Sequence, residues 1–196
     1  MKVMIRREMV LLYRVEGEKE KQVRELLERN RIAVKVLTEE MLGQTLGWCI
    51  SEAGYEESGV PYEGKAMERE ALILSGISGK RLDQLLRDLK ALPAGNIELK
   101  AVVTPHNKSW KVGDLFAELE KEHHLMGKVT QLRVWVRNWE PKLAGYQGEG
   151  AQPLVEALRQ AKELLKKGQD ITPEACDRVL EQIREAEKAW NKKSEG

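Results

Sequence analysis

The residues whose types and spacing could do chemistry sit mainly in one polar run, Thr104-Pro105-His106-Asn107-Lys108-Ser109-Trp110. An alternating apolar stretch precedes it and a helical pattern follows, so the run leaves a strand and enters the amino terminus of a helix. There, unpaired backbone N–H groups and the helix dipole favour an anion. A second run of the same kind, Thr38 to Trp48, contains Gln44 and Thr45. The candidate ligand contacts are therefore Gln44, Thr45, Lys100, Thr104, His106, Asn107 and Trp110, with Lys35 expected at the point equivalent to Lys100 on an outward-facing strand position. The same residues also admit a structural reading. Thr-Pro forms a turn, Asn107 or Ser109 caps the helix, Trp110 plugs the core edge, and the lysines keep strand edges soluble.

Other chemistries find less support. Glu120, Glu122, His123 and His124 include metal-ligand types, but adjacent histidines on a helix point about 100° apart. Glu120 and His124 share a face, yet two ligands from one helix leave a site incomplete. Cys49 lies between Trp48 and Ile50, in a setting that suggests burial, and no histidine is close in sequence to act as its base. The chain contains no nucleophile-elbow, zinc-protease, phosphate-loop or dinucleotide-binding motif. No catalytic set, metal or cofactor is expected.

These residues need elements to hold them. Met9 to Val15 reads as a strand and Glu18 to Asn30 as a helix with Val23, Leu26 and Leu27 inward; Ile32 to Leu37 is a second strand, and Thr38 caps the next segment. The order then repeats: strand 71–74, helix from Ser78 with Leu82, Leu85, Leu86 and Leu89, strand 97–104, and helix 110–126. Ile32-x-Val34-Lys35 answers Ile97-x-Leu99-Lys100, Thr38 answers Thr104, and Leu46-Gly47 answers Val112-Gly113. This pattern predicts an α+β fold: a duplicated β-α-β-α sandwich of ferredoxin-like type over 1–127, with repeats at about 9–54 and 70–126 joined by a linker at 55–69. An open doubly wound α/β sheet is the alternative. Residues 128–196 read as an all-α extension in which Gly145, Gly148 and Gly150 make a joint before a hairpin of helices 153–167 and 173–190. The stretch 128–139 fits either helix or strand, with helix preferred. Trp135, Trp139 and Trp190 would pin these helices or serve an interface.

The segment Leu99 to Trp110, followed by Leu115-Phe116-Ala117-Glu118-Leu119-Glu120-Lys121-Glu122-His123, resembles a bacterial family known only as domain of unknown function 3783. Leu72 to Leu89 fits the same pattern, and Leu42 to Trp48 is similar to an element that often precedes that domain. His106 stands where the family pattern has a small polar residue. The resemblance implies a shared structural unit and no activity.

Composition narrows the partners. Lys+Arg 33 against Asp+Glu 32 gives a net charge of +1, so there is no general attraction to nucleic acid or an anionic membrane. The basic residues Lys2, Arg6 and Arg7 precede an apolar stretch cut short by Arg14, too brief for a signal-peptide core. Two cysteines build no disulfide framework, and a cytoplasmic location is expected. The central strands are apolar on both sides, whereas a two-layer sandwich covers one. A homodimer or protein partner is therefore expected at the second sheet face or on the carboxy-terminal helices. The functional expectation is a non-enzymatic regulatory or protein-interaction module. The alternative is a small anionic ligand-binding protein, or an unrecognised enzyme, using the loops after the second and fourth strands.

Overall fold

Met9-Val10-Leu11-Leu12-Tyr13 has no polar alternation, and all five side chains are buried, which requires structure on both faces of the strand. This is β1 (Met9–Tyr13), in a four-stranded sheet with β2 (Ala33–Leu37), β3 (Ala71–Ser75) and β4 (Leu99–Val102). The computed structural model describes residues 7–144 and 149–194. They fall into two compact units, Met1–Glu120 and Lys121–Gly196.

The sheet order is β2-β1-β3-β4. Both outer pairs are parallel, and the inner pair β1–β3 is antiparallel. Helix α1 (Gly17–Arg29) connects β1 to β2, and α3 (Gly79–Lys90) connects β3 to β4. Each crossover thus joins direct neighbours. A ferredoxin-like sheet interleaves its βαβ units by splitting them, and that interleaving is not observed here. What holds is a mixed α/β unit with a four-stranded mixed sheet, followed by a helical region.

The antiparallel register pairs Leu11 with Ile73 at its centre. Turning the sheet about that point lays β1 on β3, with Leu11 on Ile73, and β2 on β4, with Ala33 on Leu99. Two ion pairs follow the same relation. Glu8, just before β1, accepts two hydrogen bonds from Arg81 of α3, each 2.6 Å. Glu70, just before β3, accepts one from Lys19 of α1 at 2.6 Å.

Both sheet faces are covered by this chain. On one, Val10, Leu12, Leu72 and Leu74 pack with Val23 and Leu27 of α1 and Leu85 and Leu89 of α3. On the other, Leu11, Tyr13 and Ile73 meet Leu42, Leu46 and Cys49 together with Val112, Leu115 and Phe116. Tyr13 brings its ring centroid to 4.6 Å from that of Phe116 and donates its hydroxyl to the Met67 carbonyl at 3.1 Å. The expectation of a bare second sheet face is therefore corrected. The turn Glu39–Gly43, α2 (Leu46–Cys49) and the start of α4 (Val112–Leu143) fill that layer.

Local boundaries differ in instructive ways. Strand β4 spans Leu99–Val102 rather than 97–104, because a turn closes at Thr104. Ser78 and Thr38 occupy the residue before their helical segments but make no capping hydrogen bond through the side chain. Residues 128–139 are helical within α4, and Gly127 does not interrupt the helix, which runs past the expected end at 126 to Leu143.

In the second unit α4 meets α5 (Gln152–Lys166) and α6 (Pro173–Ser194). Val129 and Leu132 pack among Leu154, Ala161, Cys176 and Ile183. Trp135 and Trp139 both donate their indole N–H to Glu187 of α6, at 2.8 and 2.9 Å. Trp190 stands edge-on to Trp139, ring centroids 6.2 Å apart. The tryptophans thus tie α6 to α4 within the chain. Of the expected glycine joint, Gly145 and Gly148 lie outside the described residues, as do Lys2 and Arg6; Gly150 falls in the short turn Glu149–Ala151.

Candidate functional site

The two polar runs do come together. Thr45 and Lys111 form an isolated antiparallel bridge. Around it Leu46 N–H donates to the Trp110 carbonyl at 3.0 Å, and Val112 N–H donates to the Gln44 carbonyl at 2.9 Å. Gly47 N–H adds a bond to the Lys108 carbonyl at 2.9 Å. The run after β2 and the run after β4 are therefore laced backbone to backbone over the sheet, which leaves their side chains to be accounted for one by one.

Gln44 is buried, 7% exposed, and its amide clasps Ser58: Nε2 donates to the Ser58 carbonyl at 2.9 Å, and Oε1 accepts from Ser58 N–H at 2.7 Å. Thr45 caps α2, its hydroxyl accepting from Trp48 N–H at 3.3 Å. Thr104 and Asn107 close a turn on themselves. Asn107 Oδ1 accepts from Thr104 N–H at 2.8 Å, its Nδ2 donates to the Val102 carbonyl at 3.0 Å, and Thr104 Oγ1 accepts from Asn107 N–H at 3.4 Å. Asn107 thus secures the strand exit instead of capping α4, which begins only at Val112. His106 is exposed, its ring edge-on to Trp110 with centroids 5.6 Å apart, while Trp110 lies half-buried against the core beneath.

Lys100 and Lys35 are not equivalent. Lys100 pairs in register with Leu72 and Lys35 with Leu11, residues on opposite faces of the sheet. The partner of Lys100 under the two-fold relation is Val34, so the sequence alignment was one residue out. In a strand that slip reverses the face. Lys35 lays its ammonium over the Trp48 ring, 4.4 Å from the centroid, and donates to the Cys49 carbonyl at 3.2 Å. Lys100 donates to Asn96 Oδ1 at 2.8 Å and to the Ile97 carbonyl. Burial holds its pKa below the usual lysine range, opposed by Glu98 and Glu70.

Three participants had no clear sequence signal. Glu52 forms an ion pair with Lys108, which is itself buried. Tyr55 covers Gly47, and Tyr62 covers Gly113: a methyl group on either glycine would fall 2.4 Å from ring carbons. The stretch expected as a linker at 55–69 therefore packs across both runs as a strap. The one hint was the spacing of small residues, since Gly43, Gly47 and Gly113 are where its backbone or rings approach. Cys49 is fully buried, and burial pushes its thiol up to about 11, against the nearby positive charge of Lys35. Among the described residues, no group of three or more His, Cys, Asp or Glu side chains could hold a metal ion. Nor is any described helix long and apolar enough to cross a membrane.

By fold this is a mixed α/β protein with a carboxy-terminal helical region, and its laced loops join the two βαβ units. Residues 70–126 match the model of the family described as Domain of unknown function (DUF3783), which takes in β3, α3, β4, the 104–110 loop and the first part of α4. No curated protein and no solved structure matches the chain.

Proposed function

We propose that the chain is a non-enzymatic regulatory or protein-interaction module, built from two copies of a βαβ unit and presenting its carboxy-terminal helices to a partner. One observation carries this reading: apart from the exposed His106, the polar candidate side chains that a catalytic loop would leave free are spent on the fold. Gln44 is clasped to Ser58, Thr45 caps α2, Asn107 closes its own turn, and Lys100 is bonded to Asn96 and a carbonyl. The Cys49 thiol is buried and far from its reactive form at neutral pH. Duplication is supported by the register about Leu11 and Ile73 and by the matching ion pairs Glu8–Arg81 and Glu70–Lys19. A partner on the helices is supported by the apolar side chains that the second unit leaves exposed, Met126, Val134 and Val155.

The test uses the full chain with a photo-crosslinking residue at Val134 or Val155, and at Lys21 on the exposed side of α1 as control. A discrete adduct at 134 or 155 and none at 21 is the expected result. Equal labelling at all three positions, or turnover of any metabolite in a mixed pool that Asn107→Ala abolishes, would overturn the module reading.

A further inference from the structure

The two-fold relation of the strands in the first unit offers an internal control, because it sets positions of one half against positions of the other. A cleft of about 320 Å³ lies before β3 and β4, lined by Arg69, Glu70 and Glu98 among others. Its charges are matched: Arg69 pairs with Glu98 at 3.5 Å, and Glu70 with Lys19 at 2.6 Å. The counterpart before β1 and β2 is larger, about 740 Å³. There Arg7 replaces Arg69 and Glu8 replaces Glu70, and Glu8 is again taken up, by Arg81. The residue at the place of Glu98 is Ile32, immediately before the strand in each case. Among the described residues, Arg7 therefore has no acid at the place where Arg69 has Glu98.

Two more arginines line the same cleft, Arg24 and Arg31. Arg24 donates to Glu20 on its own helix at 2.7 Å. The guanidinium groups of Arg7 and Arg31 have no hydrogen bond or ion pair among the described residues, and the one further acid in the lining is Glu28. Arg31 also sits in the left-handed region, φ 57°, where the residue after a helix is usually glycine. Arg14, another residue with positive φ, has side-chain partners in Glu39 and Tyr13 that account for its presence. Arg31 has none among the described residues, so an arginine stands at a strained conformation that no side-chain contact there explains. Ile32, Ala33 and Val34 add an apolar wall, and the volume suits a small metabolite.

We propose that this cleft binds a small phosphorylated molecule, its phosphoryl group held by the forks of Arg7 and Arg31 and its organic part lying along Ile32 to Val34. Guanidinium groups recognise phosphate by paired hydrogen bonds and keep their charge at any physiological pH. The inference is independent of the module reading, since it concerns a different surface and is read by binding alone.

Calorimetric titration of the full chain at low salt tests it, with adenosine monophosphate, glucose 6-phosphate, inorganic phosphate and succinate as probes. One of the two phosphorylated organic probes is expected to bind at least tenfold more tightly than inorganic phosphate, and succinate more weakly still. Arg31→Gly suits its backbone conformation, so it should keep the thermal midpoint while weakening binding at least tenfold. Arg7→Gln should weaken it similarly, and Arg69→Gln in the matched cleft should change it by less than twofold. The proposal is overturned if no phosphorylated probe binds, if inorganic phosphate or succinate binds as well as the organic phosphates, or if Arg7→Gln and Arg31→Gly bind like the parent.

Discussion

Replacing Gln44 by methionine keeps a side chain of similar length in the same buried place but removes the amide that clasps Ser58. Two hydrogen bonds are lost, of 2.9 and 2.7 Å, both between neutral groups. Each contributes about 1 kcal/mol net, so the pair should contribute about 2 kcal/mol. The figure stays near that sum because Ser58 is only half-buried, and its freed N–H and carbonyl can turn to water. Since the chain has two units, a single unfolding transition would mix their stabilities. Hydrogen exchange of the β1 and β3 amides, Leu11, Leu12, Leu72 and Ile73, isolates the first unit. Their opening free energy should fall by about 2 kcal/mol, or about thirtyfold in exchange rate. A loss below about 0.5 kcal/mol would refute the reasoning, for it would mean that the clasp contributes little and that Gln44 is available to a ligand.

Gly43→Ala would place a methyl group 2.4 Å from the Val60 carbonyl oxygen, so the backbone of the strap must move; a loss of about 1–3 kcal/mol and faster proteolysis within 55–66 are expected. Glu187→Ala leaves the indole N–H groups of Trp135 and Trp139 without their shared acceptor and should lower the stability of the helical unit by about 1–2 kcal/mol, read as a red shift of tryptophan emission and an earlier thermal transition. Cys49 supplies a pH test. Its folded pKa of about 11 lies above the ordinary 9.0, so its contribution is intact below about 9 and is lost as pH rises through about 11. Urea midpoints should therefore decline more steeply over that window than in Cys49→Ala, and equal slopes would contradict the burial argument. At pH 8 the native thiol should resist iodoacetamide until urea unfolds the first unit.

The sequence by itself determined the order of elements, because periodicity is a property of neighbours along the chain. The stripe Val23, Leu26 and Leu27 forms a helix, and the unbroken apolar strands β1 and β3 lie buried on both sides. It also pointed to Leu46-Gly47 and Val112-Gly113 as related segments, and these meet around one bridge. It did not carry the strand order, since a βαβ unit forms whether its strands are adjacent or split apart; only the packing of both halves placed β1 beside β3. Nor did it carry the register of the lysines. A shift of one residue costs little in an alignment, yet it puts Lys35 and Lys100 on opposite faces. The polar loop residues were found by type, and the turn that Asn107 closes on Val102 is local, but the clasp of Gln44 on Ser58 and the packing of the strap across both runs are set by the fold. The paired clefts likewise emerged only from folding. Arg7 and Arg69 are ordinary surface residues in the chain, and the missing counter-charge at Ile32 has meaning only once the two-fold relation sets it against Glu98.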